Sequence, residues 1–317
     1  MLKGSIVKKL LKYLAVVSAV VCFPWIFTLV FGQNNTQYIY ETKHSGRYVT
    51  VEDEKVDVED FTAYVLASQM DIASEEEALK AQAVIIRTYI YKLMDDAGKT
   101  TIDHKDMGFS YYTYDELEIL WGDAFAQNYN KLMKVVSNTS MEILTYEEKL
   151  IKPYYHWSSS GMTRDGSKVL GEEMAYLKSV QSSKDVEAEE YLQGVLVEKA
   201  DFVKKLRASK NDISISDEKP LETLQIISRC QAGYIMSLQI GNVVMTGDEF
   251  AYIFNLASPN FQVDEYEGGV RMVTKGSGHG LGLSMYGAAE LAKSGKSYKE
   301  ILNHYYTDIK IARVTSE

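Results

Sequence analysis

The stretch Ser74-Glu-Glu-Glu-Ala-Leu-Lys-Ala-Gln-Ala-Val-Ile-Ile-Arg-Thr-Tyr-Ile-Tyr91 combines a strong helical pattern with a glutamate in an unusual position. Apolar side chains recur in it at helical spacing: Leu79, Ala83, Ile86, Ile90 and Leu93. This spacing predicts a helix with one face packed on a core. Glu77 lies on the opposite face, where its neighbours are Ala81, Val84, Thr88 and Tyr91. We therefore expect the helix to be covered on both sides.

Glu77 has two interpretations. Desolvation among apolar neighbours disfavours the charged form of a carboxylate, and a general acid must hold a proton. Alternatively, Ser74 followed three residues later by Glu77 is the pattern of a capping box, in which the glutamate accepts a bond from the serine N–H. These residues alone favour capping over catalysis.

The first 32 residues differ from the rest of the chain in charge pattern. Lysines precede an uncharged run from Tyr13 to Gly32, which is long enough to cross a hydrocarbon core of roughly 30 Å. Because no basic residue follows until Lys43, the positive-inside rule places the N-terminus in the cytoplasm. We predict a cytoplasmic tail (1–12), a single-pass transmembrane anchor (13–32), a tether (33–48) and an extracytoplasmic domain (49–312). A cleaved signal peptide is the alternative, but Gly32 has no obvious small-x-small site near it.

The composition limits the partners of the outer domain. Hydrophobic residues make up 46% of the chain and charged residues 25%, which suits a well-buried globular unit. The net charge of -10 argues against nucleic acid, because phosphate binding needs clustered Lys and Arg. Cys22 lies in the predicted anchor and Cys230 in the outer domain, so we expect no disulfide between them.

A second informative stretch is Tyr154-Tyr-His-Trp-Ser-Ser-Ser-Gly-Met-Thr163. Its aromatic rings offer stacking faces, and its serines offer hydroxyls and accessible backbone. Both features suit a carbohydrate ligand. The alternative is a strand that ends in a serine-rich turn, with His156 in a structural role. The stretch alone does not favour either interpretation.

A third stretch, Gly276-Ser-Gly-His-Gly-Leu-Gly-Leu-Ser-Met-Tyr-Gly-Ala288, places four glycines within seven residues. Glycine allows backbone shapes and close approaches that other residues do not. The stretch is not a Walker loop, because the Gly-Lys-Ser/Thr sequence is missing.

Two segments between these stretches also carry predictions. Residues 116–136 carry apolar side chains near helical spacing and are predicted to form a second amphipathic segment. Residues 185–219 are rich in charge, and we predict a solvated two-helix excursion without chemistry.

In this order, the three stretches resemble the stage II sporulation protein D family. Glu77-Ala-Leu-Lys-Ala-Gln-Ala-Val with Arg87-Thr-Tyr89 is similar to the glutamate-bearing helix of that family. The second stretch resembles Tyr-x-His-x-x-Ser-Gly-Gly-x-Thr, and the third resembles Gly-His-Gly-Val-Gly-Met-Ser-Gln-Tyr-Gly-Ala. The resemblance covers roughly residues 49–311. It implies an α+β domain, mixed in helix and sheet, with a substrate cleft.

The chain departs from the family pattern at several positions. Gln69-Met70-Asp71 stands where the family commonly has Glu-Met-Pro. Met162 replaces a glycine, and Met285 replaces a glutamine. Some relatives bind zinc through a Cys and His cluster, but residues 101–121 offer only His104. We therefore predict no metal and no cofactor.

The resemblance implies a membrane-anchored lytic transglycosylase, a peptidoglycan lyase of septal wall remodelling and engulfment. Such enzymes cut the MurNAc-β-1,4-GlcNAc bond of peptide-free glycan strands and leave 1,6-anhydroMurNAc ends. A partner amidase removes the stem peptides, and other engulfment proteins are expected partners. Glu77 would act first as acid and then as base, because the sugar's own 6-hydroxyl replaces a second carboxylate. The predicted substrate-binding residues are Lys80, Arg87, Tyr155, His156, Ser159, Ser160, Thr163, His279, Ser284 and Tyr286.

A different class of function is also open. The same domain family includes proteins regarded as amidase enhancers, which suggests a non-catalytic module that binds the cell wall. Gln69 and Met285 are departures that fit weakened catalysis. A hydrolase using water would need a second carboxylate, and the sequence does not place one.

Overall fold

A computed structural model describes residues 43–314 of the chain. The predicted tail, the predicted anchor and most of the tether lie outside these residues. Among the residues that are described, no helix is long and apolar enough to cross a membrane. The α+β prediction is confirmed, since helices alternate with several small sheets.

The described elements are short apart from one helix. The helices are α1 (Val58–Gln69), α2 (Glu76–Ala97), α3 (Tyr114–Trp121), α4 (Phe125–Asn138), α5 (Gly166–Val169), α6 (Lys199–Ser209), α7 (Gly247–Phe254), α8 (Met285–Lys293) and α9 (Tyr298–Tyr305). The strands are β1 (Tyr48–Val51), β2 (Glu54–Asp57), β3 (Thr101–Asp103), β4 (Glu142–Tyr146), β5 (Lys149–Leu150), β6 (Tyr155–His156), β7 (Leu192–Glu198), β8 (Gln225–Arg229), β9 (Ile235–Ile240), β10 (Val243–Met245), β11 (Phe261–Tyr266), β12 (Gly269–Lys275), β13 (Leu283–Ser284) and β14 (Lys310–Arg313).

Helix α2 is the centre of the first hydrophobic core. It packs against α1, α4, α8, α9 and strand β4. Leu79, Ala83 and Ile86 are buried on one face, and Ala81 and Val84 are buried on the other. The prediction that this helix is covered on both sides is therefore confirmed. The helix ends where Gly98 adopts a left-handed conformation with φ 63°, which glycine reaches without steric cost.

The predicted amphipathic segment over residues 116–136 is helical, but it is divided into two helices, α3 and α4, with a short turn between them. Thr113 begins α3 with a capping box that includes Glu116. Gly122 ends it at φ 48° and ψ -124°, a backbone conformation that glycine tolerates best. The break leaves Leu120 and Trp121 at the exposed end of α3.

The predicted solvated excursion over residues 185–219 is also wrong. Strand β7 and helix α6 from this segment join α7 and β8–β12 in a lobe over residues 192–275 with its own apolar core. In that core the rings of Phe202 and Phe254 stack at 4.7 Å, and those of Phe250 and Phe261 at 4.8 Å. Every second residue of β7 is exposed. The strand is therefore buried on one face only, and the charged residues of this segment do not show that it forms a strand.

The second and third sequence stretches meet through a short parallel pairing of β6 with β13. Ser158 and Ser277 form a further bridge nearby. Gly282 has φ +68°, and a Cβ at this position would lie 1.8 Å from the carbonyl oxygen of Tyr154. The glycine-rich sequence is thus needed to bring two backbones into close contact.

Candidate functional site

Glu77 lies in the first turn of α2, but it does not form the predicted capping box. The helix begins at Glu76, and its N-cap residue, Glu75, makes no side-chain capping bond. Instead, Oε1 of Glu77 accepts a bond from Nζ of Lys80 at 2.8 Å. Its Oε2 accepts a bond from the backbone N–H of Tyr298 at 2.7 Å. Glu77 therefore caps the start of a different helix, α9.

These contacts change what the carboxylate can do. The Glu77 side chain is 33% exposed, so the closed apolar environment expected for it is not formed around the carboxylate. Both of its oxygens face donors from the protein. Lys80 is also paired with Glu76 at 2.9 Å, and this cation is largely buried between the two glutamates. In this arrangement Glu77 and Lys80 form an ion pair, and Glu77 also accepts a bond from the first residue of α9.

Arg87 cannot contact a ligand in this structure. Its side chain is fully buried and forms a bidentate ion pair with Glu59, with both N–O distances at 2.8 Å. A further guanidinium N–H donates to the carbonyl oxygen of Glu142. The predicted substrate-binding role of Arg87 does not fit this position, because no part of the side chain reaches solvent.

The end of helix α1 meets the second sequence stretch through a chain of polar bonds. Nε2 of Gln69 donates to the hydroxyl of Tyr155 at 2.7 Å. Nε2 of Gln82, on helix α2, donates to Oε1 of Gln69 at 2.8 Å. Burial raises the pKa of Tyr155 to about 12, so this hydroxyl stays neutral near physiological pH. Gln69 stands where the family commonly has glutamate. Its amide joins helix α1 to helix α2 and to strand β6.

A cavity of about 320 Å³ opens beside Gln69. It lies between the end of α1 and the end of α3, and it presents two aromatic rings, an amide, a hydroxyl and a carboxylate. Its lining residues are Ala67, Ser68, Gln69, Met70, Asp71, Ile72, Tyr112, Leu120 and Trp121. We call this the Gln69 cavity. The sequence patterns did not predict Tyr112 and Trp121 as site residues. Gly122 is a typical helix-ending residue, so it could have indicated that Trp121 lies at the end of a helix.

His156 and His279 hold the third stretch against the second. Nδ1 of His156 donates to the carbonyl oxygen of Leu281 at 3.1 Å, and Nδ1 of His279 accepts from the N–H of the same residue at 3.0 Å. Burial lowers the pKa of His156 to about 3, with a smaller effect of the neighbouring His279. Burial and the nearby Arg164 lower that of His279 to about 4. Both imidazoles are therefore neutral parts of the framework.

The predicted contacts of Ser159 and Ser284 are also internal. Both bind the fully buried carboxylate of Asp185: the N–H of Ser159 donates to Oδ2 at 2.6 Å, and the hydroxyl of Ser284 donates to Oδ1 at 2.9 Å. Burial raises the pKa of Asp185. No sequence pattern distinguishes this carboxylate, because Asp185 stands at the start of a segment rich in charged residues.

The remaining predicted residues are spread over the surroundings. Thr163 is buried, and its hydroxyl accepts a bond from the N–H of Val180. Tyr286 is half-buried at the start of α8. Ser160 lies beside a separate cavity, where its hydroxyl donates to the carbonyl oxygen of Ala232 at 2.7 Å. Tyr155 is thus the predicted residue that is joined most directly to the Gln69 cavity.

A glutamate-bearing helix, an aromatic strand end and a glycine-rich turn lie together in this α+β domain, and they follow each other in the order of the family that the sequence resembles. Comparison with known proteins agrees. Residues 46–146 match the family profile described as SpoIID, Stage II sporulation protein. The chain belongs to the stage II sporulation protein D family.

Individual relatives give the extent of the similarity. Stage II sporulation protein D of Bacillus amyloliquefaciens is 31% identical over 269 residues, which cover 83% of this chain and 76% of the relative. The protein of the same name from Bacillus subtilis (strain 168) is 29% identical, over 82% of this chain and 75% of the relative. The amidase enhancer of Bacillus subtilis (strain 168) is 25% identical, over 76% of this chain and 39% of the relative.

Proposed function

We propose that this protein binds glycan strands of the cell wall during sporulation and does not cut them. The observation that carries the proposal is the Gln69 cavity, in which an amide stands beside two aromatic rings. Sugar rings stack on aromatic faces, and sugar hydroxyls pair with amides and hydroxyls. Tyr112 and Trp121 offer the faces. Gln69 has a second amide N–H beyond the one it donates to Tyr155, and the Ser68 hydroxyl, which donates to the carbonyl oxygen of Ser110, can still accept a bond.

Among the described residues that line the Gln69 cavity, none is a suitable acid, which supports binding without cleavage. Cleavage of a glycosidic bond needs a carboxyl group that holds a proton within reach of the leaving oxygen. Gln69 cannot donate one. Asp71 is exposed at the rim of the cavity, and its Oδ1 already accepts from the N–H of Ala73. Glu77 does not line the Gln69 cavity, and both of its oxygens accept bonds from within the protein.

Trp121→Ala is expected to weaken the binding of peptide-free glycan strands by about 10-fold or more, because it removes a stacking face. Isothermal titration calorimetry with purified strands would measure the loss. Trp157→Ala is the matched control, because this tryptophan is 41% exposed and does not line the Gln69 cavity. Equal losses in both variants, or none in Trp121→Ala, would reject the cavity as the glycan site.

A second candidate function is lytic transglycosylase activity at the MurNAc-β-1,4-GlcNAc bond. It is favoured by one observation: Glu77 keeps a third of its side chain exposed, on the helix that carries the family sequence. Glu77 would protonate the leaving oxygen and then take the proton of the 6-hydroxyl, which closes the 1,6-anhydro ring. Lys80 would have to release the carboxylate for the first step.

Mass spectrometry of peptide-free strands after incubation with the full-length protein separates the two candidates. We expect no 1,6-anhydroMurNAc ends. If such ends form and fall by at least about 100-fold in Glu77→Gln, the size of a general acid-base contribution, the enzymatic candidate replaces the first. Retained strand binding by Glu77→Gln would show that the variant is folded.

A partner protein and a cellular location can also be proposed for this glycan binding. One relative is named an amidase enhancer, and we propose that this protein likewise assists a partner amidase at the septal wall. We further propose that residues 13–32 anchor it with the domain outside the cell membrane. Protection of the domain from external protease in wall-stripped cells would contradict that placement.

A further inference from the structure

A second cavity, of about 390 Å³, lies where the second sequence stretch meets the lobe over residues 192–275. Its lining includes Ser160 of the second stretch, the cations Arg229 and Lys275, and the amides of Gln231, Asn260 and Gln262. No carboxylate lines this cavity. This is unusual in a chain with a net charge of -10. We call it the Arg229 cavity.

The guanidinium of Arg229 is held in place by neutral groups. One terminal nitrogen donates to the carbonyl oxygen of Gly233 at 2.6 Å, and the other donates to that of Phe261 at 2.8 Å. The first also reaches Oδ1 of Asn260 at 3.5 Å. A guanidinium has five N–H donors, and these bonds use three of them. The bonds orient the group, and no carboxylate between residues 43 and 314 forms an ion pair with it.

Lys275 supplies the second charge. It ends strand β12, its side chain is exposed, and it makes no ion pair with any residue between 43 and 314. The amides of Gln231, Gln262 and Asn260 line the same cavity and add neutral donors and acceptors to it. Such a lining suits a ligand that carries one negative charge on a body rich in hydroxyl and amide groups.

We propose that the Arg229 cavity binds the carboxylate of an acidic amino sugar, with Arg229 and Lys275 on the carboxylate and the amides on the sugar. This rests on the proposed glycan binding and adds the substituent that is recognised. N-acetylmuramic acid has this chemistry, because it is N-acetylglucosamine with a lactyl carboxylate. A guanidinium binds a carboxylate through two parallel bonds, whereas an ammonium acts as a point charge.

The test compares the two monosaccharides on the full-length protein by calorimetry. We expect N-acetylmuramic acid to bind about 10-fold more tightly than N-acetylglucosamine, the effect of one charge-assisted contact. Lys275→Gln and Arg229→Gln should each remove most of that preference, because each removes one of the two cations of the cavity. Higher salt should reduce the preference as well. Lys204→Gln, which alters an exposed cation of α6 outside the cavity, is the control and should keep the preference.

Equal affinity for both sugars, or an unchanged preference in Lys275→Gln and Arg229→Gln, would overturn the proposal. Binding of a dipeptide with a free carboxylate in place of the sugar would also overturn it, because the cavity would then recognise the C-terminal carboxylate of a peptide. The Trp121→Ala experiment is independent of these outcomes. Loss of strand binding in that variant together with equal monosaccharide affinities would reject the Arg229 cavity alone.

Discussion

Arg87→Met is expected to lower the free energy of unfolding by about 3–5 kcal/mol, the cost of removing one partner from a buried ion pair. Methionine fills much of the same space, but it leaves the carboxylate of Glu59 buried without its cation. That carboxylate would keep one bond, from the N–H of Met141 at 3.0 Å. The carbonyl oxygen of Glu142 would also lose its donor. Urea unfolding of the variant and the unmodified protein measures the difference.

Two further variants sharpen this prediction. Lys92→Met removes a cation from the same helix, but its pair with Asp96 lies near the surface, so the expected cost is below about 1 kcal/mol. Glu59→Leu combined with Arg87→Met should recover part of the loss, because no charge is then left buried. An Arg87→Met variant that unfolds like the unmodified protein would contradict the buried pair and reopen a ligand-binding role for Arg87.

The protein is also expected to lose stability steeply as the pH falls from about 6.5 to about 4, because His156 and His279 are neutral in the native state. Both have folded-state pKa values below that of an unfolded histidine, near 6.5. Below that pH the unfolded chain binds protons that the native chain does not, so lower pH favours unfolding. Each histidine contributes about 1.4 kcal/mol per pH unit across this window.

His156→Gln tests this slope directly. Glutamine can still donate to the carbonyl oxygen of Leu281, but it does not titrate. The variant should lose stability with falling pH more slowly than the unmodified protein, by about 1.4 kcal/mol per pH unit. Urea unfolding at several pH values between 6.5 and 4 gives both slopes. Parallel profiles for the two proteins would show that His156 accepts a proton in the folded state.

Local features of this protein could be read from its sequence. The two buried faces of α2 followed from residue spacing alone, because a 22-residue helix repeats its pattern several times. Turns and helix starts also depend on neighbouring residues. Thr246 and Glu249, three positions apart, form a capping box at the start of α7, and Gly241-Asn242 stands at the turn of the hairpin over residues 235–245.

Contacts between distant segments could not be read in the same way. Glu77 and Tyr298, whose N–H it accepts, are 221 positions apart. No local sequence pattern predicts a bond between two such distant residues. Asp185 appeared as one charge among many, yet it is buried against serines from two other segments. The family resemblance located the three stretches that converge, but it could not say which side chains face inward.

The bond from Glu77 to the start of α9 bears on the order in which the chain is made. Helix α2 is synthesised early, whereas the helix it caps and the strand β14 that pairs with β4 come from the last part of the described chain. The lobe over residues 192–275 is complete before either of them emerges. A ribosome-bound chain can therefore close this lobe while the first core still lacks its final layer, and truncation after residue 297 would leave the start of α2 without its partner helix.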